Sequence, residues 1–161
     1  MKAVLVGGAA VNQYAPTRLT FDVDMVIEEG DEVAFSDALR QQGFERIHRT
    51  ENFVRFKPPA PGFIVDLLFL DSRTFHAMWE MGRDITLAGR SFRIAAPEHL
   101  ICMKLHALKF GRESRMDRDV ADILHMMKQC GWTPDTDEFS AACSQYGTPD
   151  LRDLIRRRWT S

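Results

Sequence analysis

The chain has 161 residues, of which 45% are hydrophobic and 27% charged, and a formal net charge of −2. That length suits one domain with a real apolar core, and the composition excludes a disordered or fibrous chain. The slightly acidic balance argues against a general nucleic-acid binder, which is usually clearly basic.

The first residues, "MKAVLV", are too short for a signal peptide and run straight into the fold. "KAVLV" (2–6) is a wholly apolar run rich in β-branched residues, the pattern of a strand covered on both faces. Gly7-Gly8 breaks it, and "AAVNQY" reads as a short helix stopped near Pro16. "LTFDVDMVI" (19–27) is the second strand. "DEVAFSDALRQQGF" (31–44) predicts a helix with Val33, Phe35 and Leu39 inward and Gly43 as its stop. "ERIHR" and "FVRFK" are strand-like, "PPAPG" (58–62) is a turn, and "FIVDLLFL" (63–70) is a second run buried on both faces. A helix around 72–82 and the hairpin-like pair "DITLAGRSFRIA" follow.

From Pro97 the pattern turns helical. "PEHLICMKLHALKF" has Pro at the first helical position, and Leu100, Ile101, Leu105 and Leu108 as an apolar stripe. "RMDRDVADILHMMKQCG" carries Val120, Ile123, Leu124 and Met127 at helical spacing, and the last 30 residues hold a loop and one final helix ending in "RRRW". The order predicts an α+β (α/β) fold, a β-sheet core over 1–96 and a helical C-terminal part over 97–161, together one compact domain. Cys102, Cys130 and Cys143 are odd in number and far apart, which fits no zinc or disulfide pattern and points to a reducing, cytoplasmic setting. No apolar run approaches the roughly 20 residues of a membrane span. The five histidines show no metal-ligand spacing.

Three aspartates stand out. Residues i and i+2 of a strand share a face, so Asp22 and Asp24 project side by side, with Phe21, Val23, Met25 and Ile27 toward the core. Asp66 is a third carboxylate inside an apolar strand. Buried ionised carboxylates cost several kcal/mol unless paired or metal-bound. One reading pairs them with Arg18, Arg55 or Lys57 as ordinary strand-end ion pairs. For three together, a divalent cation is the better reading: magnesium takes oxygen ligands, typically a few carboxylates plus substrate phosphates. A Gly-rich turn leading into a helix offers backbone N–H groups suited to phosphate oxygens. Lys104 lies within the apolar stripe of its helix, so it either snorkels out or meets an anion inside. Asp119 borders the apolar stripe of the next helix, while Asp122 is expected to point further away into solvent.

"VGG" followed by "RLTFDVDMVI" resembles the DNA polymerase β-type nucleotidyltransferase superfamily, whose members carry a GG or GS turn, a helix, a strand with acidic residues at i and i+2, and a third acidic residue on a later strand. Within it the chain is most similar to the minimal bacterial AbiEii-like nucleotidyltransferases of toxin–antitoxin and abortive-infection systems. These tend to show Arg-x-Thr-x-Asp-x-Asp, matched by Arg18, Thr20, Asp22 and Asp24, and a later "P-E-x-L-x-x-x-K", matched by "PEHLICMK". A "D-x-x-D" helix follows, matched by "RDVAD" (118–122); the segment before Asp119 usually carries a lysine where this chain has Arg118.

The resemblance implies a nucleotidyltransferase-like mixed sheet flanked by helices. It implies a Mg²⁺- or Mn²⁺-dependent transfer of a nucleoside monophosphate from an NTP to a hydroxyl of a tRNA end, a protein or a small molecule. Asp22, Asp24 and Asp66 would be metal ligands and, with Lys104, catalytic; Gly7, Gly8, Arg18, Thr20 and Asp119 would contact the nucleotide. It further implies a toxin role with a cognate antitoxin. Relatives commonly carry a helix before the first strand, and a chain starting at that strand would leave a sheet edge that a homodimer could cover. The competing functional classes are a non-catalytic binding module of the same fold and a metal-dependent phosphoesterase.

Overall fold

The computed structural model describes residues 1–111 and 113–159. In chain order the strands are β1 (Ala3–Leu5), β2 (Asp22–Glu28), β3 (Glu45–Thr50), β4 (Phe53–Lys57), β5 (Ile64–Leu70), β6 (Arg83–Leu87) and β7 (Arg90–Ile94). The α-helices are α1 (Gly7–Val11), α2 (Glu32–Gln41), α3 (Ser72–Met81), α4 (Pro97–Lys109), α5 (Met116–Cys130), α6 (Asp137–Tyr146) and α7 (Pro149–Trp159). The chain forms two compact units, one of residues 1–13 and 17–96, the other of residues 14–16 and the segment from Pro97 onward.

The first unit is built on a seven-stranded mixed sheet of order β3-β4-β5-β2-β1-β7-β6. β1 runs antiparallel to β2 and parallel to β7, and β2 runs parallel to β5. A parallel pair needs a long crossover, here supplied by α2 and the β3–β4 hairpin. The strands that read as buried on both faces are central: β1 sits between β2 and β7, and Val4, Leu5 and Val6 are buried.

One sheet face packs an apolar cluster of Ile27, Val54, Phe56, Val65, Leu67 and Phe69, joined by Met25 and by Phe35, Leu39 and Phe44. Each fully buried side chain of this size contributes about 1.5–3 kcal/mol of transfer free energy. Alternation along the strands then sends Asp22, Asp24, Arg55 and Asp66 to the opposite face.

Two residues expected inside are outside. Val33 is exposed because it lies two positions from Phe35, about 200° around α2 from the packed side. Phe21 is exposed because the ladder begins at Asp22. α3 starts at Asp71, whose carboxylate accepts hydrogen bonds from Thr74 N (3.0 Å) and Thr74 Oγ1 (2.6 Å), a side-chain cap for the helix start.

The second unit is helical. α4 buries Leu100, Ile101, Leu105 and Leu108, the stripe read from the sequence, and α5 buries Val120, Ile123, Met126 and Met127. Leu124 is only half-buried, and Met126 takes the core position expected of it. α5 ends at Gly131, which is in the left-handed region at φ 75°, with Trp132 N donating back to Met127 O, an αL termination. The last part holds two helices, α6 and α7, where a loop and one helix were expected. α6 buries Phe139, Ala142 and Cys143, at spacings of three and one, a stripe of one large and two small residues. No described helix is long and apolar enough to cross a membrane.

Candidate active site

The β2–β5 ladder sets the site. Asp24 is in register with Asp66, and Asp22 with Ile64. In a parallel pair, residues in register share a face, so the three carboxylates converge: each of Asp22, Asp24 and Asp66 offers an oxygen within 4.8 Å of those of the others. Asp66 is 3% exposed, while Asp22 and Asp24 are half-buried. Among the described residues this is the one such group of acidic, histidine or cysteine side chains that could hold a metal ion.

The glycine turn sits against this cluster. Val6 N donates to Asp24 O at 2.9 Å, which extends the β1–β2 pairing to the residue before the turn. Gly7 then adopts φ 58°, and a Cβ there would overlap the Asp24 carboxylate, Oδ2 foremost. Both the backbone sign and the space therefore require glycine. A Cβ on Gly8 would overlap Thr20 Cγ2 and lie 3.8 Å from an Arg18 guanidinium nitrogen. Asn12 closes this loop, donating from Nδ2 to Arg18 O (2.8 Å) and accepting from Arg18 N on Oδ1 (3.1 Å). Gly7, Gly8, Arg18, Thr20, Asp22, Asp24 and Asp66 are thus brought together in the first unit. α1 has only five residues, so any anion contact at the turn falls to the glycine backbone rather than to a helix dipole.

Arg55, which the sequence offers only as an ordinary ion-pair partner, belongs to the same constellation. It lies opposite Asp66 in the antiparallel β4–β5 ladder. Its Nε and Nη2 donate to Asp66 Oδ1 (2.8 Å) and Oδ2 (2.6 Å), a bidentate pair. Hydrogen bonding to Asp66 holds the Arg55 proton more tightly than in free arginine, and the charges of Asp66, Asp22 and Asp24 add to this. The signal for Arg55 was present in strand parity: Val54 and Phe56 are the apolar neighbours that take the core face.

Lys104, Asp119 and Asp122 form a separate cluster within the helical unit. Lys104 Nζ lies 2.6 Å from Asp119 Oδ1 and 2.9 Å from Asp122 Oδ2. The anion that this inward lysine meets is a pair of carboxylates of its own unit. The expectation that Asp122 points into solvent is corrected: it is 6% exposed, as is Asp119. Positions three apart on a helix are about 60° apart, so both carboxylates face α4. Burial pushes Cys102 and Cys143 up to about 11 and raises Cys130 as well, which disfavours the thiolate form of all three.

No family model and no curated protein matches this sequence. Solved structures do. A nucleotidyltransferase-like antigenic protein from Paracoccidioides brasiliensis matches with a TM-score of 0.56 at 17% identity, over 96% of this chain and 84% of that one. This chain has a nucleotidyltransferase-like fold. The antibiotic-resistance factor ANT(2'')-Ia matches with a TM-score of 0.58 at 12% identity, over 99% of this chain and 82% of its own. The lincosamide antibiotic adenylyltransferase LnuA, in a lincomycin-bound structure, matches with a TM-score of 0.54 at 15% identity, over 78% of this chain and 85% of its own.

Proposed function

We propose that the protein is a metal-dependent nucleotidyltransferase that moves a nucleoside monophosphate from an NTP to a hydroxyl acceptor. The observation that carries this reading is the in-register convergence of Asp22, Asp24 and Asp66 on one sheet face, with the Gly7 turn against Asp24. The donor set fits a hard divalent cation: it is all carboxylate oxygen, and the space that a side chain at Gly7 would fill is kept for the Asp24 carboxylate. Mg²⁺ or Mn²⁺ bound by Asp22, Asp24 and Asp66 would supply charge neutralisation of the triphosphate and activation of the attacking hydroxyl.

The chain's own residues do the rest. Asp22 and Asp24, fixed by the β1–β2–β5 ladders, set where the triphosphate can sit. Gly7 and Gly8 let the triphosphate approach the backbone without steric obstruction, and Arg18 and Thr20 flank Gly8 as nucleotide contacts. Asp66, held by Arg55, would assist loss of the acceptor hydroxyl's proton. Catalysis in this scheme comes from positioning and electrostatic stabilisation of the transferring group.

The likeness to ANT(2'')-Ia, solved in one case with adenylyl-2''-tobramycin, and to LnuA supports transfer to a hydroxyl-bearing acceptor. The AbiEii-like motifs support the narrower reading of a toxin with a cognate antitoxin, acting on a tRNA end or a protein hydroxyl. The same motifs give Lys104 and Asp119 a nucleotide-side role, whereas the ion pairs of Lys104 with Asp119 and Asp122 give them a structural one.

One observation favours the rival reading of a non-catalytic module: both oxygens of Asp66 are already engaged by Arg55. A single experiment separates the two. The protein is incubated with α-labelled NTPs, Mg²⁺ and a panel of RNA, protein and small-molecule acceptors. Labelled acceptor and released pyrophosphate are expected from wild type and not from Asp22→Asn. In parallel, NTP with Mg²⁺ should raise the melting temperature of wild type and not of Asp24→Ala. No labelling by wild type and an unchanged shift in Asp24→Ala would refute the enzyme reading.

A further inference from the structure

The glycine turn and the segment that lies over it are not held by the same means. Gly7 and Gly8 open α1, and Val6 N ties the residue before them to the β1–β2 ladder. Residues 16–20, which bring Arg18 and Thr20 back over the turn, belong to no strand or helix. Such a segment keeps one conformation only where other groups satisfy its backbone.

Asn12 supplies that tie from both sides. Its backbone N–H donates to Gly8 O at 3.0 Å, which anchors the residue on the turn. Its side-chain amide takes Arg18 by both backbone groups: Nδ2 donates to Arg18 O at 2.8 Å, and Oδ1 accepts from Arg18 N at 3.1 Å. An amide carries an acceptor and a donor side by side, so it pairs with a residue's backbone as a neighbouring strand would. A carboxylate at this position would have no donor for Arg18 O. Thr20 Cγ2 occupies the space that a Cβ on Gly8 would fill, and an Arg18 guanidinium nitrogen lies 3.8 Å from that point. Arg18 has further interactions of its own; the Asn12 amide acts on its backbone, two residues before Thr20.

We infer that Asn12 is a positioning residue for the nucleotide. It sets how close Arg18 and Thr20 stand to the Gly7-Gly8 backbone, and so how tightly a triphosphate is gripped there, while touching neither nucleotide nor metal. That role rests on the nucleotide-site reading above and adds a residue that lies outside both the motifs and the carboxylates. Asn12 belongs to neither β2 nor β5, so the carboxylates keep their ladder when it is changed.

Paired titrations of the full chain test this role. Mn²⁺ binding is followed by electron paramagnetic resonance, and a fluorescent non-hydrolysable NTP analogue is then titrated at saturating Mn²⁺. Asn12→Ala is expected to weaken the analogue at least about tenfold, the size of two lost hydrogen bonds. Its Mn²⁺ affinity should stay within about twofold of wild type, the margin expected for independent sites. In an Arg18→Ala background the same change should cost the analogue less than about twofold, because the group it positions is already gone. Asn12→Gln keeps the amide one methylene further out and should lose the analogue in the same direction, which keeps the test open if Asn12→Ala folds poorly.

Analogue binding as in wild type in both Asn12 variants, or an undiminished loss in the Arg18→Ala background, would overturn the positioning role while leaving the nucleotide site standing. Mn²⁺ affinity falling in step with the analogue would overturn it as well, since a merely structural change moves both. No analogue bound by wild type, or binding unchanged in Asp24→Ala, would remove the nucleotide-site reading and this role with it.

Discussion

Replacing Lys104 with methionine tests the meaning of an inward lysine. The side chain is 14% exposed and faces Asp119 and Asp122, at 8% and 9%, over 2.6 and 2.9 Å. Methionine keeps much of the apolar stem and removes the charge. Deleting one partner of a buried ion pair costs about 3–5 kcal/mol, because the other charge is left uncompensated.

Lys104 serves two carboxylates 60° apart on α5, while Arg118 Nε stays 3.6 Å from Asp119 Oδ1, so the lower part of that range, about 3–4 kcal/mol, is expected. For a chain of this size, about 2–4 °C per kcal/mol gives a fall in melting temperature of about 6–16 °C. Urea and thermal unfolding followed by circular dichroism read it directly. The companion variant Lys104→Met/Asp119→Asn/Asp122→Asn has no buried charge left at the site and should regain at least half of the loss. A single-variant cost below about 1 kcal/mol would refute the buried-pair argument. A triple variant as unstable as the single would show that lost packing of the lysine stem, not uncompensated charge, was responsible.

Two further outcomes are expected. Gly7→Ala forces a side chain into the left-handed region, at about 1–2 kcal/mol, and overlaps the Asp24 carboxylate; it should lower both the melting temperature and Mn²⁺ affinity. Gly89→Ala, at φ 74° with open space around it, should lower only the former; Mn²⁺ titration of the two variants that shows equal loss or none would count against the Gly7–Asp24 contact.

His99 is half-buried, its Nδ1 has no hydrogen-bond partner among the described residues, and burial lowers its pKa. The unfolded chain then takes up this proton first as pH falls below about 6.5. More protons are bound unfolded than folded, so stability rises with pH across this window and is complete above it. Wild type should lose more melting temperature than His99→Gln between pH 7.5 and pH 5, and equal slopes would rule this histidine out as the cause.

Much of the fold could be read because its patterns are local. The apolar runs at 2–6 and 63–70 became central strands, and the α4 stripe became core. Asp22 and Asp24 needed only the period of a strand to share a face. What escaped depended on pairing between distant segments or on weak contrast. Arg55 meets Asp66 because β4 and β5 pair in one register out of several, and nothing in "FVRFK" alone states which. Asp122 was misjudged although its spacing from Asp119 was visible, since helical geometry turns both toward the lysine of α4. α6 was missed because "DEFSAACSQY" offers one large apolar side chain, and Ala142 and Cys143 bury too little area to stand out.

The β2–β5 register also bears on which changes of length the chain can absorb. Residues 22–28 and 64–70 pair one to one, and every second side chain faces the carboxylate cluster. An extra residue between α2 and β3 would be accommodated outside the ladder. One more residue in the turn at 58–62 would be taken up in the loop, because a one-residue slip of β4 along β5 would turn Val54 and Phe56 off the core face. A single deletion between Asp22 and Asp24, or within 64–66, would rotate a carboxylate under the apolar cluster. Insertions and deletions are therefore sorted by position into silent and destructive classes, and indel scanning of the gene would trace the strand frame on which the chemistry depends.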